Sequence, residues 1–413
     1  MTIPTADPWF QSLFADRLGG ANYGKGTEIY KFEKIKRAKR AVLEAHPERQ
    51  LLDFGIGEND DMADALVREV AKREIDRLEN RGYADNGIQA FKDAAAGFMQ
   101  RVFGVTLDPL TEVNHAIGSK PALAMLPAAF INPGDVTLMT VPGYPVAGTH
   151  TRYYGGEVFS LPLLEANGFF PDLNAIPTDI RRRAKLLVLN YPNSPTGAVA
   201  TRDFYRRAID FALTNRILIV QDAAHILLTY DSPPLSFLQM EGARDVGVEV
   251  HSLSKGFNMI GWRMGFVAGH AKIVQAFADV KDNCDSGQFM AIQQAAKAAL
   301  DNPELGERTR EKYRRRLHKL VDVLNQVGFE ARMPGGTYFL YVRAPKSCGQ
   351  RTFANAEEAS QFLIQEQSVI CVPWDNAGAY LRFSATYLAS HETEEDALMS
   401  ETVKRLGRLE LRF

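Results

Sequence analysis

From about residue 62 to residue 295 the chain alternates between two kinds of text, and this alternation limits the fold more than any other feature. Helical patterns, such as residues 62–79 and 87–102, are interleaved with short continuous apolar runs at 136–139, 185–189, 217–220 and 265–268. Strands that are apolar throughout, separated by helices, are buried on both faces. They imply a mostly parallel sheet between helical layers. Ligands of such sheets bind beyond the carboxyl ends of the strands, so residues just after these runs are the first candidates for chemistry.

Past residue 296 the pattern changes. A long charged helix over 303–327, a strand over 335–342, a helix over 356–366 and a strand over 380–384 predict a smaller α+β domain. A basic, periodic helix near residues 31–45 is expected to complete it. A chain of 413 residues is too long for one small core. The predicted division is an N-terminal arm over 1–57 belonging partly to the small domain, a large domain over 58–295, and a small C-terminal domain over 296–413.

Composition excludes several classes. Lys and Arg total 48 against 50 Asp and Glu, a formal charge of −2, which gives no electrostatic basis for nucleic-acid binding. The basic runs at 34–40 and 314–319 read as solvated helix faces. Three widely spaced cysteines, Cys284, Cys348 and Cys371, form neither a disulfide framework nor a zinc site. With no apolar signal core in the first ten residues and no run of membrane-spanning length, a cytoplasmic protein without a membrane partner is expected.

The strongest local signal is Ser252-Leu253-Ser254-Lys255, followed by Gly261-Trp262-Arg263-Met264-Gly265. A lysine acts as a covalent catalyst only when its amine is deprotonated, which requires burial or a cationic neighbour. Ser252, Ser254 and Arg263 could form a phosphate cup. Alone, the stretch also fits a surface lysine on a polar turn. Asp222 ends the apolar run 217–220. A buried carboxylate there needs a partner, such as a protonated ring nitrogen, although it also fits a helix cap. The turn Asn190-Tyr191-Pro192-Asn193-Ser194-Pro195-Thr196-Gly197 is stiff. Asn193 could aim its amide at a ring oxygen, or the segment could be a plain loop. Gly118-Ser119-Lys120-Pro121 enters a helix whose N-terminus could cradle phosphate. Tyr144, in Pro142-Gly143-Tyr144-Pro145, could stack on a planar group or simply pack. Arg382, in Leu381-Arg382-Phe383-Ser384, could clamp a carboxylate.

The order of these signals matters more than any one of them. A phosphate turn, a stacking aromatic, an Asn, an Asp, a Ser-x-Ser-Lys with a later Arg, and a distal Arg resemble the fold-type I pyridoxal-phosphate aminotransferases over essentially the whole chain. Within them, several stretches look like the LL-diaminopimelate aminotransferase family. They include Ile29-Tyr30-Lys31-Phe32, Phe54-Gly55-Ile56-Gly57-Glu58, Arg81-Gly82-Tyr83-Ala84-Asp85-Asn86-Gly87 and Asp282-Asn283-Cys284-Asp285-Ser286-Gly287-Gln288-Phe289.

The resemblance implies an aspartate-aminotransferase-like α/β fold with a seven-stranded sheet, pyridoxal 5'-phosphate as cofactor, and a homodimer with shared sites. It implies ping-pong transfer between L-glutamate and tetrahydrodipicolinate or LL-2,6-diaminopimelate, in lysine biosynthesis. Carried over by position, Lys255 forms the Schiff base and shuttles the α-proton. Asp222 meets the pyridine nitrogen, Asn193 the ring oxygen, and Tyr144 the ring face. Ser119, Lys120, Ser252, Ser254 and Arg263 hold or border the phosphate, and Tyr83 reaches the partner's phosphate. Arg382, Asn193, Lys120 and the Gly57 turn bind the substrate. Tyr30 and Asp85, the latter one carbon shorter than the family's acid, face its distal end.

One position departs from the pattern. His225 stands where the family has a tyrosine that hydrogen-bonds the cofactor's phenolic oxygen. Imidazole can donate too, with a different reach and pKa, so His225 is expected to keep the role. The alternative is that it turns away and water substitutes. His115, His150 and His251 lack metal-ligand spacing and read as core or surface residues. Other readings are an aromatic- or alanine-type aminotransferase, a β-lyase or decarboxylase, or a catalytically silent protein of the same fold.

Overall fold

The computed structural model describes residues 8–25 and 31–413. Strand β1 (Leu52–Asp53) lies apart from the main sheet. The main sheet has seven strands: β2 (Val113–Ala116), β3 (Val136–Val141), β4 (Glu157–Pro162), β5 (Ala184–Asn190), β6 (Leu218–Asp222), β7 (Gly247–Ser252) and β8 (Gly265–Gly269). Their spatial order is β2-β8-β7-β6-β5-β3-β4. Only β8 runs against its neighbours; every other pairing is parallel.

The continuous apolar runs follow from this architecture. Side chains alternate across a strand, and in β5 Leu187 and Leu189 enter one core while Leu186 and Val188 enter the other. The first core also takes Phe91 and Phe98 from the helix Gln89–Phe103 and Phe204 and Tyr205 from Arg202–Asn215. The second takes Ala122 and Leu126 from Ser119–Phe130 and Phe277 from Ala271–Asp282. Sequence reading did not separate out two strands, β2 and β4, and both are edges of the sheet. Strand β2 carries Asn114 and His115, and β4 is mostly open to solvent.

A third core gathers Phe54, Leu317, Leu320, Leu340 and Phe383. It joins the helix Leu305–Gln326 to the antiparallel strands Phe339–Arg343, Tyr380–Ser384 and Val372–Trp374. The helix Lys31–Ala45 packs Ile35 and Val42 against Ile364 and Ile370, and β1 pairs with Val369–Ile370. The early chain thus lies on the late chain.

The basic run 314–319 is not wholly a solvated face. Arg316 is fully buried. It donates to Asp60 at 2.9 Å, to Glu395 at 2.7 Å and to the carbonyls of Ala385, Tyr387 and Ala389. A buried guanidinium is tolerated when every donor is satisfied. Among the described residues no helix is long and apolar enough to cross a membrane, and no cluster of His, Cys, Asp or Glu could hold a metal.

Candidate active site

Strands β3, β5, β6 and β7 all deliver their carboxyl ends to one cavity of about 630 Å³. Its walls come from the following loops and, on the far side, from Phe32, Gly57, Phe339, Trp374 and Arg382.

Lys255 sits on the short helix Leu253–Gly256, directly after β7. Ser252 caps that helix, its Oγ accepting from the Ser254 N–H at 3.2 Å. The Lys255 amine donates to the Gly57 carbonyl at 3.0 Å. Burial, assisted by the Arg382 and Arg263 charges, lowers its pKa to about 8 despite the opposing field of Glu58. A useful fraction of this amine is therefore neutral near physiological pH.

Asp222 is the last residue of β6 and is almost fully buried. Its side chain accepts from the Ala224 N–H at 3.1 Å. Burial raises its pKa to about 6, against that single hydrogen bond. Three residues on, His225 also lines the cavity. Its ring meets Tyr338 edge-on at 5.3 Å and lies 5.9 Å from Phe339. Burial first, then the Lys255 and Arg382 charges, push its pKa well below the usual range, so the ring is neutral. Its Nδ1 is buried with no hydrogen-bond partner among the described residues.

At the opposite end Ser119, Lys120, Ser252, Ser254 and Arg263 converge on the wall. Arg263 adopts φ +57°, unusual for a side-chain-bearing residue. Its Nη1 donates to the Ile260 carbonyl at 2.7 Å and to Ser254 Oγ at 3.4 Å. Gly118, at φ +83°, leaves room for this guanidinium; a Cβ there would lie 2.5 Å from Nη2. Tyr144 lines the cavity beside Gly143 and Pro145.

Arg382 projects from the middle of Tyr380–Ser384 and is nearly buried. Its guanidinium lies 4.0 Å from the Phe339 ring centroid, and Nη2 donates to the Gly55 carbonyl at 3.3 Å. Gly57 approaches the same group: a Cβ there would sit 3.7 Å from Arg382 Nη2.

Among the described residues, three of the sequence-predicted ones do not line this cavity. Asn193 is fully buried, and its Oδ1 accepts from Thr196 N–H and Oγ1 while Nδ2 points to the Pro142 carbonyl at 3.4 Å. The turn spends that amide on itself, and Asn190 and Ser194 take the wall position. Tyr83 and Asp85 are exposed elsewhere on the surface. Tyr30 lies outside the described residues. Sequence reasoning missed Asn190, Ser194, Phe339 and Trp374. Asn190 had a signal, since it is the final residue of a buried strand. Nothing in the text separates Ser194 from Asn193.

The model of the family "Aminotransferase class I and II" matches residues 49–399. The LL-diaminopimelate aminotransferase of Methanocaldococcus jannaschii is 55% identical, covering 98% of this chain and 100% of its own. That of Methanococcus maripaludis is 53% identical, with 98% and 100% coverage. Among solved structures, substrate-bound BacF from Bacillus subtilis superposes with a TM-score of 0.86 at 31% identity, over 97% of this chain and 98% of that one. Aspartate aminotransferase from Thermus thermophilus gives 0.84 at 25% identity, over 96% and 99%.

Enzymes of this kind work with pyridoxal 5'-phosphate, and the cavity suits that group. It offers a partly neutral amine for an aldehyde, and for the ring nitrogen a buried acid whose pKa burial raises to about 6. It also offers an unpartnered imidazole nitrogen and a cluster of hydroxyls beside a guanidinium for the phosphate. The fold, the match over most of the length and this donor set agree: the chain belongs to the class I and II aminotransferases, with pyridoxal 5'-phosphate as cofactor.

Proposed function

We propose that the protein moves an amino group between L-glutamate and tetrahydrodipicolinate, forming LL-2,6-diaminopimelate and 2-oxoglutarate in lysine biosynthesis. The observation that carries the reading is the half-buried Lys255 amine, its pKa lowered to about 8, in one cavity with the buried Asp222 and Arg382. The full-length likeness to LL-diaminopimelate aminotransferases supports the choice of substrate.

When bound, pyridoxal phosphate supplies an aldehyde that takes up the amino group and a ring that accepts the electron pair left at Cα. Lys255 would hold the aldehyde, and its amine, once freed, would take the Cα proton and deliver it to the former aldehyde carbon, serving as base and then acid. Asp222 keeps a proton on the ring nitrogen. Arg382 takes the substrate α-carboxylate through paired donors, with the Gly57 turn beside it. Ser119, Lys120, Ser252, Ser254 and Arg263 anchor the phosphate, and Tyr144 covers the ring. His225, with Ser194 and Asn190 nearby, faces the phenolic oxygen.

Two chains form the working unit in this reading, with Tyr83 and Asp85 of each reaching the other's site. We also assign residues 1–57 to an arm that joins the small domain, 58–295 to the large domain and 296–413 to the small one. A cytoplasmic location fits the three unpaired cysteines.

The test is a half-reaction. Holoenzyme mixed with LL-diaminopimelate should lose the absorbance of the aldehyde form of its cofactor and gain that of the amine form. A response to aromatic amino acids and none to diaminopimelate would overturn the substrate assignment and leave the reaction class standing.

A further inference from the structure

Lys281 is a lysine with almost no exposed surface and is not among the residues that line the cavity. It lies near the end of the helix Ala271–Asp282. Its ammonium donates to the main-chain carbonyl of Asp85 and pairs with Asp285 at 2.5 Å. Asp285 in turn accepts from the Gly287 N–H at 2.8 Å. A buried ammonium is costly unless its donors are met, so this placement is specific.

The two segments it joins are locked along their length. Ala84 and Gly287 form a parallel bridge. A Cβ on Gly287 would lie 2.1 Å from the Ala84 carbonyl oxygen, so only glycine allows the approach. Asn86 donates to Asp282 at 2.5 Å and accepts from Asn114 at 2.7 Å. Lys281 is thus the ion at the centre of a double loop made of residues 82–87 and 285–288. At its tip Tyr83 is 83% exposed and makes no wall of its own chain's cavity.

We propose that Lys281 is a positioning residue that acts across the dimer. It fixes the loop bearing Tyr83 and Asp85 in the shape that the neighbouring subunit's active site requires. This rests on the shared-site reading above. Tyr83 is largely exposed in the single chain, so its aim depends on the backbone beneath it. Beside the Ala84–Gly287 bridge and the Asn86 bonds, that backbone is held at the Asp85 carbonyl by the charged hydrogen bond from Lys281. Misplacing a contacting group by about an ångström can cost on the order of a hundredfold in rate.

The experiment uses tagged heterodimers of the holoenzyme, purified through two different tags. In the first, one chain carries both Lys281→Met and Lys255→Ala and the other is unaltered. Its single working Lys255 then receives a loop from the altered chain. In the second, Lys281→Met and Lys255→Ala lie on different chains, so the working site receives an unaltered loop. The first heterodimer should lose kcat/KM by roughly tenfold to a hundredfold relative to the second. Equal activities, or a defect in the second only, would overturn the role.

The same pair is built with Tyr83→Phe in place of Lys281→Met. If Tyr83→Phe shows no dependence on which chain carries it, the shared-site reading falls and takes the Lys281 proposal with it. If Tyr83 shows the dependence and Lys281 does not, only the Lys281 proposal falls. Should Lys281→Met fail to yield folded dimers, Asp285→Asn loosens the same clamp while leaving the ammonium on the Asp85 carbonyl. It should give a smaller defect with the same chain dependence.

Discussion

The Lys255 amine rests on the main-chain carbonyl of Gly57, 3.0 Å away, and that oxygen also accepts from Tyr338 Oη at 2.8 Å. A carbonyl has two lone pairs, so both donors can be served together. Gly57 also borders Arg382. The proton-carrying amine and the carboxylate clamp therefore meet at one turn of the backbone.

Tyr338→Phe removes one of the two donors and leaves the ring packing intact. Stability should fall by about 1 kcal/mol, the usual worth of a neutral hydrogen bond. Because the turn it steadies touches Lys255 and Arg382, kcat/KM should fall several-fold as well. Chemical denaturation and steady-state kinetics read the two effects. An unchanged kcat/KM with the expected stability loss would confine Tyr338 to a structural role.

Asp222 offers a pH test in the cofactor-free protein. Burial raises its pKa from 3.8 to about 6, so folding favours the protonated acid. The stability this contributes is complete below about pH 4 and is lost as pH rises through about 6. A change of that size corresponds to roughly 3 kcal/mol. Asp222→Asn should therefore match the unsubstituted apoenzyme at pH 4 and exceed its melting temperature at pH 8, other titrations cancelling in the comparison. In the holoenzyme the order should reverse, because the ring nitrogen then supplies the missing partner. Amino transfer by Asp222→Asn should fall by at least two orders of magnitude, in the range of general acid–base contributions. Parallel pH profiles for the two apoproteins would remove the buried-acid argument.

His225 is neutral and lies against Tyr338, with Nδ1 facing no protein partner among the described residues. Replacing it with tyrosine exchanges a neutral imidazole for a phenol of different reach. The pH at which the bound cofactor's absorbance titrates should move by roughly one unit. Superimposable titration curves for His225→Tyr and the parent would show that the ring does not touch the cofactor.

Arg382→Lys keeps the positive charge but loses the planar fork. The KM for both the amino donor and the acceptor should rise, with kcat/KM down roughly tenfold to a hundredfold, about the worth of one charge-assisted hydrogen bond. Loss confined to one substrate would mean that the two α-carboxylates bind in different places.

Much of this site could be read before the structure because its main residues stand where topology concentrates chemistry. Asp222 ends a buried strand, Lys255 follows another, and Arg382 interrupts an apolar one. Such placements break a pattern, and a broken pattern is visible in text. Trp374 and Phe339 were not visible as site residues, since an aromatic on a strand reads as ordinary core. Asn193 was misplaced relative to Ser194 because both are small and polar and the turn's own hydrogen bonds decide which one faces outward. Strands β2 and β4 were overlooked for different reasons: β2 is buried but carries the polar Asn114 and His115, and β4 is an edge open to solvent, so neither reads as a continuous apolar run. Arg316 was hidden inside a basic run because its partners, Asp60 and Glu395, are remote in sequence.

The cavity draws its walls from both extremes of the polypeptide: Phe32 and Gly57 early, Trp374 and Arg382 late. The residues that suit the cofactor, from Ser119 to Arg263, leave the ribosome well before Arg382 does. The wall that suits the cofactor and the wall that carries Arg382 thus come from separate stretches of the polypeptide, so a change at Arg382 can alter which amino acids enter without touching the residues that suit the coenzyme.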